Sequence, residues 1–212
     1  MHMRRCMMNK QSLREIKKEG TGHALADAAF ELTLERGLDG FTTDDIVQRA
    51  GYSRRTFANH FSCKEEAVVV AALTFKVTQE VEELIADVSE NTPMFDVLYH
   101  LMKIQFTEDH LRKMRKLVSL SKQNRKLVPY ILITLHRMKI STQQILSELS
   151  NGRYPDEYIH LLVGSVYGAM LSLHDGSLNV ILPGESASES SVAVTYDQYW
   201  EKMFNYLRNG FY

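Results

Sequence analysis

Arg54 and Arg55 stand side by side in the stretch TTDDIVQRAGYSRRTFANHF, residues 42–61, at the start of a short helical pattern. A guanidinium is a rigid fork of N–H donors that matches the O6/N7 edge of guanine, or two phosphate oxygens, at two points at once. Two such forks on the first turn of one helix, with the Thr56 hydroxyl beside them, are equipped to read or hold a nucleic acid. An Arg pair on a solvated turn is otherwise only solvated, so the weight falls on the residues that position it.

Those residues spell two short helices joined by a tight turn. Thr42 suits an N-cap, where its side chain can satisfy free amides of the helix that follows. Ile46, Val47 and Ala50 share the inward face of that helix, and Gly51 permits a left-handed turn. Ser53 caps the next helix, which Phe57 and Phe61, four apart, anchor on its neighbours. A helix, a tight turn and a second helix with long polar residues at its N-terminal end form a helix-turn-helix, whose second helix fits the major groove of B-DNA.

The rest of the chain also reads as helix, with only four Pro and no strand-like alternation. A first helix over about 21–36 carries Leu25, Ala28, Ala29 and Leu32 on one face, and Gly37 stops it. Ser62 and Glu65 have the spacing of a capping box. The helix they open is expected to run unbroken past Val68, Ala72, Phe75, Val81, Ile85 and Val88 as far as ENTP. Pro93 starts another, HLRKMRKLVSL makes a shorter one, and 125–150 a long one ended by SNGRYP. From Asp156 to Leu173 apolar residues fall all around the helix, and Gly164, Gly168 and Ser172 form a small-residue ridge. A Gly/Ser-rich loop follows, and the last helix, about 196–208, places Tyr199, Trp200, Met203, Phe204 and Leu207 along one face. These two apolar surfaces are expected to form a subunit interface; burial inside a monomer core is the other way to hide them.

The segment FTTDDIVQRAGYSRRTFANHFSCKEEAV, residues 41–68, resembles the signature of the TetR family of transcriptional regulators: a threonine-led helix, then A-G-(V/Y)-S, then T-(L/F)-Y-x-(H/Y)-F, then K-E. The resemblance implies an all-α chain, with an N-terminal three-helix DNA-binding domain and a C-terminal helical bundle for ligand binding and dimerisation. The expected divisions are a flexible basic arm at 1–18, the helix-turn-helix domain at 19–64, and the bundle at 65–212. Position by position, it implies DNA contacts from Thr42, Thr43, Tyr52, Ser53, Arg54, Arg55 and Thr56, flanking backbone contacts from Asn59 and His60, and a phosphate held by Lys64. Asp44 stands where some relatives place a base-reading residue; it can accept from a cytosine amino group or stabilise the helix dipole. One position departs from the pattern. Ala58 replaces the Tyr whose hydroxyl binds phosphate in most members, which shifts that work towards Asn59 and the arm.

Charge follows the same division. Residues 1–64 carry 11 Lys or Arg against 8 Asp or Glu, and residues 65–212 carry 14 against 18, although the net charge is only −1. Much of the basic excess sits in Arg4, Arg5, Lys10, Arg14, Lys17 and Lys18, an arm fitted to a phosphate backbone, though a merely solvated tail would read the same. No apolar run approaches the roughly 18 residues of a membrane span, so the expected location is the cytoplasm. Cys6 and Cys63 are read as free thiols.

Other chemistry is poorly supported. Glu157 and His160 have the Glu-x-x-His spacing of a di-iron bundle, but no second copy exists. Ser119 and Lys122 match Ser-x-x-Lys without its companion motifs. No Walker loop, GxGxxG or His/Cys zinc set occurs, so no cofactor or metal is expected, and a bundle enzyme is a weak alternative. For a small-molecule effector, Met102, Phe106, His110, Met114, Tyr130, His136, Met138, Tyr167, Met170 and His174 suit an adaptable apolar pocket, and the same residues suit plain core. The expected partners are operator DNA, a second copy of the chain and that effector, with repression as the default outcome. Control by a protein partner instead of a small molecule is the other reading that keeps DNA binding.

Overall fold

A computed structural model describes residues 13–175, 178–183 and 194–210, with residues 13–19 and 174–175 described by their backbone alone. The side chains of the basic arm lie outside the described residues, and the backbone of 13–18, expected in a flexible arm that ends before the first helix, is helical instead. The chain forms two compact units, Met1–Thr74 with Leu120–Thr134, and Phe75–Ser119 with Leu135–Tyr212.

In the first unit, helices α1 (Leu13–Arg36), α2 (Thr43–Ala50), α3 (Arg54–Ala58) and α4 (Lys64–Leu73) gather around α1, which packs on both α2 and α4. Leu25, Ala29, Leu32, Leu38, Phe41, Ile46, Phe57, Ala67 and Val68 fill the space between them. Gly37 ends α1 at φ 73°, where its N–H bonds to the Thr33 carbonyl at 3.0 Å. Gly40 is required for a different reason: a Cβ there would lie 2.2 Å from the Arg36 carbonyl oxygen. That close approach sets Leu38 and Phe41, 2 % and 3 % exposed, into the core on either side. A 3-10 turn at Arg125–Leu127, between α7 (Glu108–Gln123) and α8 (Val128–Ser150), packs on α4 with Leu127 fully buried.

Two expectations about the fourth helix are corrected. Its cap is Cys63, whose Sγ accepts from the Glu66 amide at 3.4 Å, while Ser62 donates from N and Oγ to the Glu66 carboxylate at 2.8 and 2.7 Å. The cap is therefore one residue later than Ser62, and the Glu66 carboxylate reaches back to the residue before it. Nor does the helix run unbroken to Val88. It stops at Leu73, Thr74 turns to φ −81° and ψ 148°, and a new helix α5 (Gln79–Asp87) starts under Thr78. The Thr74 hydroxyl donates to the Val70 carbonyl at 2.7 Å, and the Thr78 hydroxyl accepts from the Val81 amide at 3.4 Å. Thr74, Val77 and Thr78 are β-branched and costly in a helix, and the two threonine hydroxyls offer the backbone other partners. The apolar period continues across the break because residues on both sides still face a core.

The second unit holds α5, α6 (Met94–Gln105), most of α7 and α8, α9 (Asp156–Asp175) and α10 (Tyr196–Asn209). A parallel pair of two-residue strands, β1 (Val180–Ile181) and β2 (Val194–Thr195), leads into α10, and Arg115 donates to the Val180 carbonyl at 2.9 Å. The sequence showed no strand pattern here, since two residues are too short to carry one.

The face of α10 corrects the interface expectation. Trp200, Met203 and Phe204 point into their own unit, at 3 %, 6 % and 3 % exposure. Phe204 meets Tyr99 edge-on at 4.9 Å and Phe95 at 5.7 Å, and Trp200 lies 6.0 Å from Phe106 and 5.8 Å from Tyr196. Tyr199 is half-buried, donating to the Ala169 carbonyl of α9 at 2.8 Å, and Leu207 is half-buried too. An amphipathic helix near the end of a chain covers whatever apolar surface is nearest, and here that surface is intramolecular. Trp200→Ala should therefore cost about 3–5 kcal/mol through the cavity it leaves. Thermal unfolding should show a large drop in melting temperature, and an unchanged melting curve would contradict the core assignment.

The expectation for α9 holds on one side only. Ile159, Val163, Val166 and Met170 are buried, but Leu161 is 70 % and Leu171 47 % exposed. Gly168 is exposed as well, and a Cβ on Gly164 or Gly168 would meet nothing within 4 Å. Among the described residues, nothing else packs against the ridge at these two glycines.

Candidate nucleic-acid interface

The helix-turn-helix is built by its caps. The Asp45 carboxylate accepts from both the amide and the hydroxyl of Thr42, at 2.8 and 2.7 Å, which starts α2 and holds the Asp45 carboxyl below the usual carboxylate range. Arg36 lies 3.3 Å from the same carboxylate and adds to the effect. Gly51 ends α2 at φ 74°, and the Tyr52 amide returns to the Val47 carbonyl at 2.9 Å. Ser53 then caps α3 by accepting from the Thr56 amide at 3.1 Å. Phe57 and Phe61, 4 % and 7 % exposed, pin that short helix with ring centroids 5.5 Å apart.

A second clamp went unread in the sequence. Arg49 at the end of α2 donates through both terminal nitrogens to Glu35 of α1, at 2.7 and 2.6 Å, with Glu31 at 3.8 Å. The hydrogen bonds from Arg49 hold the Glu35 carboxyl below its ordinary range. Residues 14 apart give no local pattern, so only the packing of α2 on α1 could reveal this pair.

On this frame the proposed DNA-contacting residues occupy distinct situations. Thr42, Asp44, Tyr52, Ser53, Arg54, Arg55 and Asn59 are exposed, and Thr43 and Thr56 partly so. His60 is half-buried and packs on α1, where a Cβ on Gly22 would come within 3.1 Å of its Nδ1. Lys64 has its ammonium engaged, donating to the carbonyls of Leu38 and Phe41 at 2.7 and 2.8 Å and sitting 4.8 Å from the centre of the Phe41 ring. It fastens the Gly37–Phe41 loop to α4, a structural duty that its place at a helix start did not suggest. Arg54 is not a solitary fork either. It forms a two-point ion pair with Asp44, whose carboxyl is held below its usual range by the hydrogen bonds from Arg54.

The residues suggested for a ligand pocket divide between the units. Met102 on α6, Phe106 at its C-cap, and His110 and Met114 on α7 are all buried, His110 lying 5.5 Å from Phe106 and 4.4 Å from Phe75. Met170 is buried on α9. Tyr167 lies with its hydroxyl 3.0 Å from that of Thr142, which donates to the Met138 carbonyl at 3.0 Å; burial raises the Tyr167 phenol. Tyr130, by contrast, lies in the first unit beside Cys63, and hydrogen bonding to that thiol raises its phenol. His136 is exposed, and the His174 side chain lies outside the described residues. Of the motif matches set aside earlier, His160 lies with Nδ1 3.3 Å from the Gln143 amide nitrogen. Among the described residues no group of three His, Cys, Asp or Glu side chains could hold a metal ion, and no helix is long and apolar enough to cross a membrane.

Residues 25–69 match the family model of the bacterial regulatory proteins of the tetR family. Two relatives from Bacillus subtilis (strain 168) are similar over short segments. The uncharacterized HTH-type transcriptional regulator YwcC is 35 % identical over 57 residues, 27 % of this chain and 26 % of that protein. The uncharacterized HTH-type transcriptional regulator YdeS is 36 % identical over 58 residues, 27 % of this chain and 29 % of that protein. The similarity thus spans under a third of either relative's length.

Proposed function

We propose that the chain, whose residues 25–69 match the family model of the bacterial regulatory proteins of the tetR family, is a TetR-type, sequence-specific DNA-binding transcriptional regulator acting as a homodimer. The observation that carries the reading is the exposed Arg54–Arg55 pair on a short helix that Ser53 caps and buried Phe57 and Phe61 immobilise. A helix held this way can enter the major groove with its first turn facing base edges, while the hydroxyls of Thr43 and Thr56 reach phosphates. In a dimer, two such helices would sit about one duplex turn apart, on the order of 34 Å.

A small molecule binding the second unit would regulate the affinity, with release from the operator, and hence repression, as the default. Two helices, α7 and α8, contribute residues to both units. A ligand that binds one arrangement of them better than another shifts the population by that difference in affinity.

Selection of bound fragments from random-sequence DNA tests the proposal. The expected product is a two-fold-symmetric consensus whose half-sites lie about 10 base pairs apart, bound with a steep dependence on salt. No enriched sequence from folded protein would overturn it.

A further inference from the structure

Asp44 and Arg54 lie ten residues apart, on the first turns of the two helices of the helix-turn-helix, yet they form one unit. Arg54 donates through Nε and Nη2 to the two carboxylate oxygens of Asp44. Both side chains are open to solvent, at 74 % for Arg54 and 52 % for Asp44, so the pair adds little to stability. An acidic side chain on a surface meant for phosphates is costly there, since it repels DNA of any sequence. The geometry shows what it could give in return.

A guanidinium has two edges that can make parallel N–H bonds. Asp44 occupies the side edge of Arg54, formed by Nε and Nη2, and leaves the end edge, formed by Nη1 and Nη2. The end edge can still meet O6 and N7 of guanine. We propose that Asp44 is a positioning residue for specificity: it holds the Arg54 fork so that only its end edge reads a guanine, in one fixed orientation. This rests on the DNA-binding function proposed above. The base of the carboxylate is itself fixed, because α2 is started by Thr42 and Asp45 and clamped to α1 by Arg49 and Glu35. Without Asp44, the long Arg54 side chain must lose its rotamer freedom on binding, and it can turn to a neighbouring phosphate instead of the base.

Removing the carboxylate should have effects of opposite sign. Sequence-independent binding strengthens, because a negative charge leaves the DNA surface. Discrimination weakens, because the reading fork is no longer held. A role confined to starting α2 would instead weaken both together and lower the melting temperature.

The test compares wild type, Asp44→Ala, Arg54→Ala and the double variant. Each is titrated with the DNA selected by the wild type, with single-base-pair variants of it, and with shuffled DNA of equal length. Asp44→Ala is expected to bind shuffled DNA a few-fold tighter and to lose roughly tenfold in the ratio of selected to shuffled affinity. The loss should fall on the same base pair that Arg54→Ala relaxes, and the double variant should discriminate no worse than Arg54→Ala alone. An unchanged ratio, a loss at a different base pair, or additive losses in the double variant would each overturn the inference while leaving DNA binding intact. If the wild type selects no DNA at all, the functional proposal fails, and this one with it.

Discussion

Replacing Arg54 and Arg55 together by Ala should lower operator affinity by more than about a hundredfold, since a two-point guanidinium–guanine contact alone gives roughly tenfold or more and a two-fold site uses each residue twice. The fold should hardly notice. Both side chains are exposed on α3, and the helix keeps the Ser53 cap and its Phe57 and Phe61 anchors. The melting temperature should therefore stay within about 2 °C of wild type. Removing Arg54 alone leaves Asp44 unpaired, adding an uncompensated negative charge at the DNA surface, so its effect should exceed that of Arg55→Ala. Fluorescence-anisotropy titration at two salt concentrations reads both effects. Unchanged operator affinity in the double variant would show that α3 does not face the bases.

That experiment also probes how the site became legible. Local signals were reliable wherever a single turn carries its own chemistry: Thr42, Gly51 and Ser53 sit where their spacing placed them, and Phe57 and Phe61 are buried as read. Signals failed where the partner is distant in the chain. Lys64 at a helix start reads as a phosphate ligand, but its ammonium reaches back to carbonyls 26 and 23 residues earlier. Asp44 and Arg54 each read as a separate DNA contact because no periodicity links two first turns across a glycine.

The second unit was harder for a related reason. An apolar stripe says that a helix hides a face and not what hides it. Trp200 and Phe204 on α10 are covered within the chain, whereas nothing among the described residues lies within 4 Å of a Cβ at Gly164 or Gly168 on α9. The break at Thr74 was invisible because the helical period persists on both sides of it. Tyr130 joined the ligand candidates by residue type alone, and the end of α8 that carries it belongs to the first unit.

The open face of α9 gives the other large expected effect. Leu161 and Leu171 are exposed on it, flanking Gly168, where a Cβ would meet nothing within 4 Å among the described residues. Exposed leucines beside a small-residue ridge suit close approach by a second copy, self-complementary as a two-fold dimer requires. Gly168→Leu separates assembly from folding. Among the described residues nothing crowds a Cβ at this exposed position, and exchanging a mid-helix Gly for Leu favours the helix by about 0.5–1 kcal/mol. The monomer should thus fold as well as before or better, while the two α9 helices can no longer approach. Sedimentation should show dimers for wild type and monomers for the variant. Operator affinity should fall by roughly 10²–10⁴, because the second head then binds as an independent molecule rather than at the high effective concentration of a linked partner. Leu161→Glu, a substitution at a position 70 % exposed, should act in the same direction without any change in packing volume inside the chain. If the native protein sediments as a monomer at micromolar concentration, the two-headed reading of an operator fails at its first step. If both variants remain dimeric, the interface lies on another face, and the leucines of α9 are exposed for some other reason.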